Sequence, residues 1–203
     1  MSCECHQTAV VADKNVLRIA LALALNFIMF VIGLIAGIIS ESTGLIADSF
    51  DMLADASAYA LGLLAVGRAM RFKTITAALS GGLLLILGVG VLFDVGRRVL
   101  LGSSPMSTVI IIIACMSLIV NGIVLYLLRR FRGGEIHLRA TWIFTRADVI
   151  ANLGVILSGA LIAITNSRYP DLIIGTAIAL YVIKEAFEIL GETHKTHLAS
   201  RKN

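Results

Sequence analysis

Residues 19–40 read IALALALNFIMFVIGLIAGIIS, twenty-two positions without one charged side chain. Wound as a helix at about 1.5 Å per residue, the run reaches about 33 Å, enough to cross the roughly 30 Å hydrocarbon core of a bilayer. The same signature recurs along the chain. Residues 74–93 form a second neutral run, and the stretch between Arg98 and Arg129 forms a third. Within that stretch Gly102-Ser103-Ser104-Pro105 reads as a turn, so the span begins near Ser107. Segments 44–67 and 141–165 are also apolar but contain acids, and 172–190 gathers Lys184, Glu185 and Glu188 near its end. The expected fold is all-α: a polytopic membrane protein with six transmembrane helices in a bundle.

Composition agrees. The 203 residues are 58% hydrophobic and 15% charged, with mean hydropathy +0.93, whereas soluble chains are about 45–50% apolar and about 25% charged. Disorder, collagen and a disulfide scaffold are excluded, the last because there are only three cysteines. The net charge of +4 does not point to nucleic acid, because in a membrane chain surplus Lys and Arg mark cytoplasmic loops. Lys14 and Arg18 precede the first helix. Arg68, Arg71 and Lys73 separate helices 2 and 3; Arg129, Arg130, Arg132 and Arg139 separate 4 and 5; Lys195, Arg201 and Lys202 follow helix 6. The opposite loops carry Arg97, Arg98 and Arg168. Both termini are therefore expected in the cytoplasm, and the expected location is the bacterial inner membrane. Residues 1–16 read as an N-terminal tail, 17–191 as the transmembrane domain and 192–203 as a short C-terminal tail.

The second helix holds the chemistry. GLIADSFDMLADASAYALGL, residues 44–63, sets Asp48, Asp51 and Asp55 in an apolar span. At about 100° per residue, Asp51 and Asp55 lie about 40° apart and Asp48 returns to within about 20° of Asp55, all on one stripe. A carboxylate at mid-bilayer costs at least about 2.5 kcal/mol, so three on one face must meet water, a cation or each other. Helix 2 has no Lys or Arg before Arg68. Helix 5, RATWIFTRADVIANLGVI, adds Asp148 and, one turn on, Asn152. Oxygen ligands at i and i+4 met by a carboxylate from another helix suit a divalent cation. When empty, such a site concentrates like charge and takes up protons; a metal ion would expel them.

Six spans, DSFDMLAD in the second helix and RADVIANLGVI in the fifth resemble the cation diffusion facilitator family, over nearly the whole chain. The resemblance implies export of zinc or a related divalent metal in exchange for protons, by a homodimer. It places the transport ligands on Asp51 and Asp55 of helix 2 and Asp148 of helix 5. The first helix 5 ligand position, His or Asp in the family, is Phe144 here. Asn152, Thr145, Asp48 or a water must then complete the shell, and an all-oxygen set leans towards manganese, iron or cobalt. The family's cytoplasmic metal-binding domain has no counterpart in these 203 residues, so a homodimer is expected to be held by transmembrane contacts.

At the N-terminus Cys3, Cys5 and His6 form a secondary metal-site candidate, weaker because Cys-x-Cys-His is short and terminal. Gly33, Gly37, Gly81, Gly82, Gly88 and Gly90 read as helix-contact positions and Asn26 and Asn121 as interhelical hydrogen-bond partners. Asp94 with Arg98, and Lys184 with Glu188, have the spacing of local ion pairs. Neither a nucleophile–base pair nor a phosphate-binding loop is visible, so an enzyme is not expected, and a metal ion is substrate rather than cofactor. The alternative reading is a membrane metal sensor or assembly subunit that does not transport.

Overall fold

A computed structural model of the protein describes the backbone over residues 2–64, 70–128 and 136–200 and side chains over 16–64, 74–128 and 148–194. The described residues form six helices: α1 (Ser2–Ile39), α2 (Thr43–Leu64), α3 (Met70–Leu101), α4 (Ser107–Leu128), α5 (Ile136–Thr165) and α6 (Tyr169–Ser200). This is the all-α membrane bundle read from the hydropathy. Among the described residues four segments are long and apolar enough to cross a bilayer: Val16–Ile39, Thr74–Leu101, Ser107–Leu128 and Asp148–Thr165. The other two helices, α2 and α6, carry the acids.

α2 packs against every other helix, most extensively against α1 and α6. Inside lie Leu45, Leu84, Ile110, Val155 and Val182. Outside, aliphatic and aromatic side chains stay exposed, with Phe93 at 77% and Ile164 at 78%. That distribution suits lipid, which solvates such residues as well as a protein core does. Burial of oil therefore supplies little drive for helix association, and close packing and polar contacts must supply it instead. Glycine provides the close packing. A Cβ on Gly37 of α1 would stand 2.9 Å from the Ile46 nitrogen of α2, and one on Gly175 of α6 would stand 2.8 Å from the Thr43 carbonyl carbon. Gly33, Gly81 and Gly88 also face neighbouring helices, whereas Gly82 and Gly90 meet open space, so only part of the glycine expectation for α3 holds.

Three short connections meet at the end of the bundle away from the chain termini, the distal end. Each contains a left-handed residue: Glu41 (φ 51°), Gly102 (φ 94°) and Asn166 (φ 52°). Glycine and asparagine adopt that conformation readily; glutamate does so at a cost. Glu41 is held there from both sides. Its carboxylate accepts the Ser104 N–H at 2.8 Å, and its carbonyl accepts from the Arg98 guanidinium. Arg98 also makes the expected pair with Asp94.

Asp171, at the start of α6, closes this end. Its Oδ1 accepts from the Ser42 hydroxyl at 2.5 Å and the Gly44 N–H at 3.1 Å, and its Oδ2 accepts from the Thr43 N–H at 2.6 Å. Ser42 Oγ in turn accepts the Leu45 N–H at 3.1 Å, the bond of a helix N-cap. The first amides of α2, which have no partner within their own helix, are thus satisfied by a carboxylate 127 and 128 positions along the chain. Polar side chains elsewhere behave less uniformly. Asn26 donates to the Ala22 carbonyl of its own helix at 3.0 Å and not across an interface.

Candidate metal centre

The helical stripe of α2 turns its acids inward. Asp48 and Asp51 are buried and Asp55 is half-buried. Asp148 of α5, also buried, stands within hydrogen-bonding reach of both Asp51 and Asp55. Helices 2 and 5 therefore meet at these acids. The sequence pattern alone could place each acid on a face but could not bring the two faces together. Carboxylates in such proximity cannot all carry charge without a proton or a cation between them. Among the described residues no Lys or Arg pairs with Asp51 or Asp148.

The rest of the expected ligand set divides. Asp48 turns towards Ser117 of α4 and stays within electrostatic range of Asp51. Asn152 is completely buried and neither atom of its amide has a hydrogen-bond partner; Oδ2 of Asp148 likewise has none. Buried polar atoms are rarely left unpaired, because each costs about 1–3 kcal/mol. Here they lie one turn apart on α5, at and just after Asp148. Thr145 and Phe144, and Cys3, Cys5 and His6, lie outside the residues whose side chains are described. Among the described residues, no three Asp, Glu, His or Cys side chains converge tightly enough to grip an ion.

One participant was missed. Glu185 of α6 lies within electrostatic range of Asp51, Asp55 and Asp148. With Asp55, Ala58, Glu188 and Glu192 it lines a cavity of about 140 Å³ between α2 and α6. Lys184 does pair with Glu188, at 3.3 Å, as the i, i+4 spacing predicts. The spacing of Glu185, Glu188 and Glu192, a single helical stripe, was the available signal.

The description "Cation efflux transmembrane domain" matches residues 19–196 of the chain. The chain belongs to the cation efflux family. The resemblance carried by helices 2 and 5 is thereby confirmed, and the family is one of transporters and not of enzymes. Similar curated proteins include the zinc transporter ZitB of Yersinia pseudotuberculosis serotype I, 24% identical over 194 residues, which cover 89% of this chain and 62% of that protein. ZitB of Yersinia pestis matches to the same extent. ZitB of Pectobacterium atrosepticum is 27% identical over 203 residues, covering 93% of this chain and 63% of its own length. This cation efflux chain thus spans less than two thirds of these relatives.

Proposed function

We propose that the protein exports a divalent transition-metal cation from the cytoplasm in exchange for protons, with Asp51, Asp55 and Asp148 as the ion's ligands. Zinc is the first candidate, on the strength of the ZitB likeness; manganese, iron(II) and cobalt follow from an all-oxygen donor set. The observation that carries the reading is Asp148 set against Asp51 and Asp55 inside an apolar bundle. Three carboxylates in so confined a space hold protons when the metal is absent and release them when it binds. Exchange of one for the other follows from that competition. Asp48 and Asn152 are the further donors nearest the acids, and Thr145 is a candidate one turn before Asp148.

On this reading the end carrying the chain termini faces the cytoplasm, as the distribution of Lys and Arg requires. The protein works as a homodimer joined through its transmembrane helices. The test is metal-driven proton release from the purified chain in liposomes loaded with a pH dye. Zinc, manganese, cobalt, iron(II) and cadmium are each added outside. A metal-specific signal that disappears in Asp51→Ala and in Asp148→Ala, while both variants still insert, supports transport through these acids. An undiminished signal in both variants removes them from the mechanism. Silence with every metal, alongside intact binding, replaces export with a sensor or assembly role.

A further inference from the structure

α2 and α6 both start at the Asp171 clamp and run in the same direction. Distance from the clamp can therefore be counted along each helix at about 1.5 Å per residue. Asp51 lies about 12 Å along α2 and Asp55 about 18 Å, while Glu185 lies about 21 Å along α6. The extensive α2–α6 packing keeps those levels in register, and the cavity shared by Asp55 and Glu185 shows that the two carboxylates open onto the same space. Tyr181, one turn before Glu185, brings a buried hydroxyl to the same group of acids. From α5, Asp148 joins this group with its unpartnered Oδ2, and the unpartnered amide of Asn152 lies one turn on. These buried atoms lack a hydrogen-bond partner within the protein, as befits groups that await a ligand.

We infer that Glu185 is a ligand of the same divalent cation, so that the centre is built from three helices, α2, α5 and α6, and not from α2 and α5 alone. This rests on the proposed role of Asp51, Asp55 and Asp148. It fills the coordination position that Phe144 leaves vacant in the family pattern with a carboxylate from a different helix. Four carboxylates without imidazole or thiolate form a hard, oxygen-rich donor set. Glu188 and Glu192 continue the acidic lining beyond Glu185 towards the terminal end, which gives a cation a graded approach to the centre.

The test is metal titration of the purified full chain in detergent, by calorimetry with zinc and with manganese. Losing a ligand should weaken binding at least as much as losing an outer-shell partner does, about 10- to 100-fold. Glu185→Gln is expected to show that loss for both metals, and Glu185→Asp to recover most of it, which separates ligation from a folding defect. A second readout is direct. Cadmium added to Glu185→Cys should give a thiolate-to-cadmium absorbance above that of the wild-type chain, and Asp51→Asn in that background should remove the increment. Unchanged binding in Glu185→Gln together with a large loss in Asp51→Asn overturns the role of Glu185 and leaves the three-aspartate centre standing. Unchanged binding in both overturns the three-aspartate centre, and this inference with it.

Discussion

At one end of the α2–α6 pair a single carboxylate, Asp171, accepts three hydrogen bonds and the two helices touch where only Gly175 fits; about 20 Å along the same pair, Asp55 and Glu185 face each other across a cavity. On the seam itself, the distal end sets the one carboxylate of Asp171 among several donors. The other end has several acids and few donors. An acid with donors knits two helices together, whereas acids without them hold helices apart until a cation or proton arrives. The same residue type therefore closes one end of the seam and leaves the other open.

The sharpest way to break the comparison is the loss of proton release in Asp51→Ala and Asp148→Ala, which leaves the closed end intact. The next is chemical access. In a background with Cys3, Cys5 and Cys115 replaced by Ser, Ala58→Cys lines the cavity and Ala47→Cys occupies a fully buried site on α2. A charged thiol reagent should label the first at least about tenfold faster, because reactivity follows exposure. Equal labelling would mean that the open and closed ends are not distinct.

Smaller effects sharpen the picture. Gly175→Leu drives a side chain into the α2 backbone and should cost about 3 kcal/mol, at the upper end of overpacking penalties, read as a fall in melting temperature in detergent. Asp171→Asn keeps the shape but offers one acceptor oxygen in place of two. It should cost about 1–2 kcal/mol in the same assay. Lys184→Gln removes an exposed i, i+4 pair with Glu188 and should change stability by less than about 0.5 kcal/mol. A loss as large as that in Asp171→Asn would mean that the open end is held by ion pairing after all.

The acids of helices 2 and 5 were legible in the sequence because a carboxylate in an otherwise neutral span has no ordinary explanation. Asp51, Asp55 and Asp148 stand out in that way, and the α4 start at Ser107 follows a turn that Gly102 and Pro105 announce. Glu185 was hidden by its neighbours. Lys184 and Glu188 give a charged helix end a local reason to exist, and the pair does form, but it engages Glu188 and not Glu185. Asp171 was hidden by distance: nothing local marks a residue whose partners are Ser42, Thr43 and Gly44. Asn26 shows the reverse error, a polar group assigned to an interface that bonds within its own turn.

The clamp has a further physical consequence. A helix start carries about half a positive charge from its aligned peptide dipoles, and Asp171 sits at two of them, the first turn of its own α6 and that of α2. One full negative charge thus offsets roughly two halves of positive charge. With the carboxylate in place the two helix starts are close to electrically balanced. Protonated, or replaced by Asn, it would leave two positive poles uncompensated beside the Arg98 guanidinium.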